Sequence, residues 1–168
     1  EEDKIDLDDK NGKKDKNGAK AKKAFEKTQP ETIHENVKKV EKKKSPSDLN
    51  FILNCLRNHF VFYNLSESEL ENIVSKMFYC KVLANEYIFK QGDNASSYFI
   101  LERGTLEVIV NEKPKRELRT GDGFGELALL YNAPRSASVR TLEGCELWGI
   151  DRNTFRRAVE EMITKEYE

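Results

Sequence analysis

The residues with the clearest chemical potential lie at positions 121–139, which read Gly-Asp-Gly-Phe-Gly-Glu-Leu-Ala-Leu-Leu-Tyr-Asn-Ala-Pro-Arg-Ser-Ala-Ser-Val. Three glycines within five residues allow the backbone to approach a ligand closely. Glu126 supplies a carboxylate directly after them, and Arg135 supplies a guanidinium nine residues later. Amides at the start of a short helix favour a negative oxygen, and a guanidinium pairs with a phosphate through parallel hydrogen bonds. These residue types predict an anion site.

The spacing between the carboxylate and the guanidinium indicates how each group is used. The apolar run at 127–131 is about one helical turn long and stops before Pro134, because a residue that precedes proline is pushed out of the helical region. Arg135 then reaches the phosphate from the far side of the turn. Glu126 would repel a phosphate, so we expect it to accept a hydrogen bond from a hydroxyl. A phosphate, a hydroxyl and a shallow apolar wall together indicate a nucleotide.

This stretch resembles the phosphate-binding cassette of cyclic-nucleotide-binding domains, whose pattern is Phe-Gly-Glu-hydrophobic-Ala followed by Arg-small-Ala. The residues that match are Phe124, Gly125, Glu126, Leu127, Ala128, Pro134, Arg135 and Ala137. The glycines, the acid, the helical spacer and the arginine occur together at the spacing of that family, which makes the match specific. The likeness runs over residues 47–168, includes the turn at 91–93, and does not extend to the first 44 residues.

The resemblance implies a role for each cassette residue. Arg135 would pair with the exocyclic oxygens of a cyclic phosphate, and Glu126 would accept from the ribose 2′-OH. The main-chain amides that would complete the cradle are those of Gly125, Leu127, Ala128 and Ala137. Taken alone, Arg135 is also compatible with a surface arginine after a turn, and Glu126 with an acid favoured by a helix dipole. Their occurrence with the glycines favours the ligand site, whose ligand would be cGMP or cAMP, with no cofactor.

The residue after the arginine bears on which nucleotide binds. In cAMP-selective relatives it is usually alanine, whereas cGMP-dependent protein kinases usually carry threonine or serine, and this chain has Ser136. A hydroxyl there can accept from the guanine 2-amino group, which adenine lacks. Many cAMP-dependent kinase regulatory subunits have an acid at the turn position that Ser96 occupies, and in this respect the chain is more similar to the cGMP-dependent kinases. Arg116 lies where some cGMP-selective domains place an arginine facing the guanine, although its neighbours depart from theirs. One hydroxyl contributes about 0.5–1.5 kcal/mol, so we expect dual binding with a cGMP preference.

The first 44 of the 168 residues differ in composition from the rest. They hold 14 Lys or Arg against 11 Asp or Glu, about +3, within a chain of net charge −1, and Phe25 is the only aromatic before residue 50. Such a segment cannot bury enough apolar surface to order itself, so we expect a disordered linker or regulatory segment with a transient helix over 32–44. The basic run 42–44 before Ser45 alternatively marks an inhibitory or phosphorylated segment, but a solvated charge run is favoured. Because the chain starts without methionine, we expect it to be a piece of a longer protein.

Residues 45–168 are predicted to form the cyclic-nucleotide-binding domain, with helices over 47–77, a barrel over 78–150 and a C-terminal helix over 151–165. Ser47 is predicted to cap the first helix, which carries Leu49 on its apolar face, and Ser66 and Glu69 form a capping box for the second. Short strand-like runs at about 8–12-residue spacing predict a sandwich or barrel. The resemblance implies a mainly β fold with flanking helices, a jelly-roll β-barrel.

Several functional classes are disfavoured by composition. The three cysteines, Cys55, Cys80 and Cys145, are odd in number and embedded in apolar patterns, which indicates buried thiols in a reducing, cytoplasmic compartment. With no CxxC pair and only two histidines, we expect no metal site. No apolar run approaches the roughly 20 residues needed to span a bilayer. Trp148, Phe99 and Tyr98 are expected to pack in the core, and Tyr167 is the only late aromatic that could cap a base.

We therefore expect a non-catalytic regulatory domain, most like one of the tandem domains of a cGMP-dependent protein kinase, with the catalytic domain in the same chain. No glycine loop or catalytic aspartate motif of a kinase is present here. The alternative is a cAMP-binding domain of a cAMP-dependent kinase regulatory subunit. A ligand-gated channel would need upstream transmembrane helices, and a transcription factor a downstream helix-turn-helix. A degenerate domain used only for protein contacts conflicts with the intact Glu126 and Arg135. Nucleic acid is not expected as a partner.

Overall fold

The computed structural model describes residues 37–95 and 97–166, and of residues 128, 129, 159 and 161–166 it describes the main chain alone. The strands are β1 (Lys38–Val40), β2 (Phe78–Val82), β3 (Tyr87–Phe89), β4 (Ser97–Arg103), β5 (Leu106–Val110), β6 (Lys113–Leu118), β7 (Gly123–Phe124), β8 (Ser138–Thr141) and β9 (Cys145–Asp151). The helices are α1 (Pro46–Arg57), α2 (Glu67–Lys76), α3 (Leu127–Leu130) and α4 (Arg152–Glu166). Residues 1–36, Ser96 and Tyr167 lie outside the described residues, so the expectations placed on them stay expectations.

The strands form two antiparallel sheets with the orders β1-β2-β9-β4-β7 and β3-β8-β5-β6. Successive side chains of a strand point to opposite faces, and β4 uses both. Tyr98 and Ile100 belong to one core cluster, whereas Phe99 and Leu101 belong to the other. The predicted class, mainly β with flanking helices, is confirmed, and the two sheets are consistent with a jelly roll.

One core lies between the sheets. Its buried members come from β2, β4, β7 and β9 of the first sheet and from β3, β5, β6 and β8 of the second. Three phenylalanines meet there: the Phe99 ring lies 5.6 Å from that of Phe124, and the Phe89 ring lies 5.9 Å from that of Phe124. These stacked and tilted contacts are favourable beyond the area they bury. The resulting aromatic floor underlies the cassette.

The second core lies between the outer face of the five-stranded sheet and the helices. α1 contributes Ile52 and Leu56, α4 contributes Phe155, and all three are buried. Trp148 is fully buried, and its indole Nε1 donates to Glu102 Oε1 at 2.5 Å. Together with the burial of Tyr98 and Phe99, this confirms that these aromatic residues serve as core.

The start of α1 corrects one prediction. The cap is Ser45, not Ser47: Asp48 N–H donates to Ser45 Oγ at 3.1 Å, and Ser45 N–H donates to Asp48 Oδ2 at 3.0 Å. Pro46 begins the helix, where its missing N–H is not needed and its fixed φ suits the helix. Leu49, predicted on the apolar face, is 36% exposed. The capping box predicted for α2 at Ser66 and Glu69 is confirmed.

Residues 38–40 correct a second prediction, since they form strand β1 where a transient helix was expected. β1 pairs with β2, with Lys39 opposite Cys80. Lys44 Nζ donates to the Met77 carbonyl at 3.0 Å, and Lys42 Nζ lies 4.5 Å from the centre of the Tyr79 ring. Strand pairing and these cation contacts stabilise the extended conformation more than a narrow apolar face would stabilise a helix. The predicted disordered segment therefore does not extend to residue 44, and its assignment over residues 1–36, which lie outside the described residues, stays a prediction.

The three cysteines are free thiols. Cys80 and Cys145 are buried, and burial raises the pKa of the half-buried Cys55 to about 11, so its thiol stays protonated at neutral pH. Within the described ranges, no helix has both the length and the apolar character of a membrane span.

We expect Ser45→Ala to lower the free energy of unfolding by about 1 kcal/mol, because an amide at the start of α1 loses its acceptor. Urea denaturation measures this loss. Ser47→Ala is the matched control, since it changes an exposed serine in the same helix that does not cap it. Equal losses for the two variants would contradict the assignment of Ser45 as the cap.

Candidate functional site

A cavity of about 320 Å³ opens beside the cassette. Of the predicted site residues, those that line it are Gly125, Glu126, Leu127, Arg135, Ser136, Ala137 and Arg116. Ala128 lies in α3, where only its main chain is described. The residues that line the cavity but were not predicted are mainly Phe89, Val108, Val110 and Lys115. The alternation of valines in β5 could have predicted the apolar wall. No local sequence pattern indicated that Phe89 or Lys115 would line the cavity.

Arg135 is held by the turn between β3 and β4. Gly92 N–H donates to the Arg135 carbonyl at 2.8 Å, and Arg135 N–H donates to the Asp93 carbonyl at 2.8 Å. The residue is only 5% exposed, and its Cζ lies 3.9 Å from the centre of the Phe89 ring. A guanidinium stacked on an aromatic face is fixed in its plane as well as attracted electrostatically. An ordinary surface arginine is therefore excluded at this position.

Gly125 allows the backbone to pass close to this guanidinium. Its φ is +88°, a region that residues with a Cβ adopt at a cost. A Cβ at this position would lie 2.7 Å from Arg135 Nη1 and 3.3 Å from the Ser97 carbonyl oxygen. Two constraints therefore favour glycine at this position: the positive φ and the short distance to the arginine side chain.

Glu126 is half-buried and directly precedes the one-turn helix α3. Within the described structure its side chain makes no capping hydrogen bond to α3, which weighs against a role as a simple helix cap. Burial lowers the pKa of His59, and the attraction of Glu126 opposes that shift. Burial likewise raises the pKa of Tyr98, and the negative charge of Glu126 adds to it. The Glu126 carboxylate is therefore close enough to both rings to act on them electrostatically.

The same β3–β4 turn also holds the opposite wall. Gln91 Nε2 donates to Asn111 Oδ1 at 3.0 Å, and Asn111 N–H donates to Gln91 Oε1 at 2.8 Å. Gln91 N–H donates to Ser138 Oγ at 2.8 Å. Asn111 lies in the tight turn between β5 and β6, so one turn fixes the arginine, the start of β8 and the tip of this hairpin. The sequence predicted a turn at this position, but it did not predict that the turn would contact three separate parts of the site.

The β5–β6 hairpin supplies the far wall of the cavity. Val108 and Val110 form its apolar part, and Arg116 is the register partner of Val108. Lys115 lines the cavity beside Arg116. A cavity with a buried guanidinium at one end, an acid at its edge and an apolar wall is suited to a small anion with an apolar body. Among residues 37–95 and 97–166, no group of three or more His, Cys, Asp or Glu side chains could hold a metal ion.

Comparison with known proteins finds a matching family model and similar protein kinase sequences. Residues 79–162 match the family model of the cyclic nucleotide-binding domain. The chain is 33% identical over 127 residues to a cGMP-dependent protein kinase of Eimeria tenella, covering 75% of this chain and 13% of the relative. It is 40% identical over 105 residues to a cAMP-dependent protein kinase regulatory subunit of Blastocladiella emersonii, covering 60% of this chain and 26% of the relative. The chain thus spans a small part of each of these relatives.

Solved structures similar to this chain also include regulatory parts of protein kinases. The regulatory domain of Toxoplasma gondii PKA in a co-crystal with cAMP has a TM-score of 0.65 and 32% identity, covering 73% of this chain and 49% of that one. A regulatory subunit of a cAMP-independent protein kinase A from Trypanosoma cruzi bound to guanosine, at 23% identity and a TM-score of 0.65, covers 70% of this chain and 44% of that one and supports the fold alone. The family model covers 84 of 168 residues, which is half of the chain. The chain therefore belongs to the cyclic nucleotide-binding domain family.

Proposed function

We propose that this chain is a non-catalytic regulatory domain that binds a cyclic nucleotide, cGMP in preference to cAMP, within a cGMP-dependent serine/threonine protein kinase. The observation that carries the proposal is the buried Arg135, stacked on Phe89 at the end of a cavity that Glu126 also lines. Isothermal titration of the chain with cGMP and cAMP is the direct test.

In the proposed complex, the cyclic phosphate lies against Arg135 and the main chain of the cassette. The guanidinium forms charge-assisted hydrogen bonds with the exocyclic oxygens, and such bonds are stronger than neutral ones. The amides of Gly125, Leu127, Ala128 and Ala137 add donors. Glu126 accepts from the ribose 2′-OH, a role that fits an acid at the cavity edge with no capping bond to α3. None of these groups needs to make or break a covalent bond.

The preference for cGMP rests on Ser136 and Arg116. Ser136 is exposed at the cavity, and in the proposed complex its hydroxyl accepts from the guanine 2-amino group. Arg116 is the register partner of Val108 on the far wall, where it can face the base. A single net hydrogen bond of about 0.5–1.5 kcal/mol corresponds to a preference of roughly tenfold, so cAMP also binds.

The proposed mechanism of regulation is a shift between two populations. A ligand shifts such an equilibrium only by its different affinities for the two states. The cassette helix is a suitable moving part, because Leu127, Leu130 and Tyr131 are 50%, 39% and 60% exposed. In the proposed full-length protein these apolar side chains and α4 respond to the nucleotide, and the catalytic domain in the same chain, next to further tandem nucleotide-binding domains in the cytoplasm, reads the change.

A second candidate is a cAMP-binding domain of a cAMP-dependent protein kinase regulatory subunit. The 40% identity to the subunit of Blastocladiella emersonii favours it. Competition of cAMP and cGMP for the same site separates the two proposals. A clear preference for cAMP would favour the regulatory subunit.

We expect Arg135→Ala to weaken nucleotide binding by about 2–5 kcal/mol, because a bound anion loses its paired cation. Arg135→Lys should also weaken binding, since an ammonium lacks the planar fork. Isothermal titration measures both. Arg119→Ala is the control, because Arg119 is exposed and pairs with Glu117 away from the cavity. Unchanged affinity in Arg135→Ala would refute the phosphate assignment.

Gly125→Ala tests the close approach of the cassette to the guanidinium. We expect this variant to lose stability and also to lose nucleotide affinity, because the new Cβ displaces Arg135. Gly121→Ala is the matched control: its φ is +97°, but an added Cβ would meet nothing within 4 Å. Thermal melting and titration of both variants separate the two effects. The idea fails if Gly125→Ala binds nucleotide as tightly as Gly121→Ala.

Ser136→Ala should reduce the ratio of cGMP to cAMP affinity by about tenfold or less, because one hydroxyl acceptor is removed. Ser136→Thr retains the hydroxyl and should retain the preference. Titrations with both nucleotides give the ratio directly. A ratio in Ser136→Ala equal to that of the wild type would remove Ser136 from the selectivity assignment.

A further inference from the structure

The β5–β6 hairpin contains an irregularity at the cavity. Val108 is the register partner of Arg116, and Ile109 is that of Pro114. Lys115 is therefore an extra residue in β6 with no partner in the ladder, as in a β-bulge. In a regular strand, Lys115 and Arg116 would point to opposite faces. The bulge instead lets both consecutive cations line the cavity.

The position of the hairpin in the sheet places these cations away from Arg135. Arg135 precedes β8, β8 pairs with β5 through Val139 and Val108, and β5 pairs with β6. Two strand spacings of about 4.8 Å separate β8 from β6, which is roughly 10 Å. A ligand whose phosphate lies at Arg135 therefore extends its base toward Lys115 and Arg116.

Two acids of the hairpin strands are engaged in ion pairs with other arginines. Glu107 Oε1 lies 2.8 Å from Arg140 Nη2, and Glu117 Oε1 lies 3.1 Å from Arg119 Nη2. The hairpin tip is fixed by Gln91, and its turn residues Asn111 and Glu112 have φ values of 52° and 67°, as a tight two-residue β-turn requires. The two cations thus belong to a wall that is held before a ligand enters.

Guanine and adenine differ at the edge that such cations would meet. Guanine presents two neighbouring acceptors, O6 and N7, and Lys and Arg are the side chains that commonly bind them. Adenine presents N7 beside an amino group, which is a donor and opposes a cation. We propose that Lys115 acts together with Arg116 on the O6/N7 edge of a bound guanine, so that Lys115 is a further specificity-determining residue. This inference rests on the proposed nucleotide-binding function.

The test compares Lys115→Ala and Lys115→Gln with Lys113→Ala, which removes an exposed lysine of the same strand that does not line the cavity. Each variant is titrated with cGMP, cAMP, cyclic inosine monophosphate and 7-deaza-cGMP. Cyclic inosine monophosphate keeps O6 and N7 but lacks the 2-amino group that Ser136 would read, and 7-deaza-cGMP lacks N7. Thermal melting without nucleotide checks that each variant is folded.

We expect Lys115→Ala and Lys115→Gln to bind cGMP and cyclic inosine monophosphate about tenfold more weakly, with cAMP affinity unchanged and a smaller loss for 7-deaza-cGMP. Lys113→Ala should bind all four like the wild type. Equal losses for cGMP and cAMP would overturn the inference, because they indicate general attraction to the phosphate. So would unchanged cGMP affinity in a folded variant. A wild-type chain that binds no cyclic nucleotide would instead contradict the proposed function itself.

Discussion

The site depends on a buried guanidinium that lies over an aromatic ring. Burying a charge away from water is costly, and Arg135 is only 5% exposed. The guanidinium lies over Phe89, its main chain is held by two hydrogen bonds with the turn at 91–93, and the missing Cβ of Gly125 leaves space for it. Each of these supports comes from a different part of the chain. The position of the guanidinium is therefore fixed by the protein itself.

The two cores place that arginine. β4 is buried on both faces, so it joins the core between the sheets to the core beneath the helices. Phe99, on its inner face, belongs to the aromatic floor of the cassette, and Tyr98, on its outer face, packs against His59 with a ring distance of 5.3 Å. The charge of Glu126 acts on both Tyr98 and His59. The helices and the cassette are thus linked through one strand, as the proposed regulation requires.

The β5–β6 hairpin departs from regular structure at the wall of the cavity. A bulge disrupts pairing locally but redirects side chains. Here it brings Lys115 to the cavity beside Arg116 while Val108 and Val110 keep the wall apolar. Because Gln91 ties the hairpin tip to the turn that holds Arg135, the two ends of the cavity are fixed relative to each other.

The sequence by itself determined what depends on local pattern. Short strand-like runs at regular spacing indicated the mainly β fold, and the cassette spacing pointed to Glu126 and Arg135 as candidate site residues. It did not reveal β1 or the two-residue β7, because strands that short carry too little pattern, and it misplaced the cap of α1 by two residues. The tertiary structure alone decided that Phe89 lies under Arg135 and that Lys115 lines the cavity. Those facts depend on strand register and on contacts between distant segments, which no local run of residues encodes.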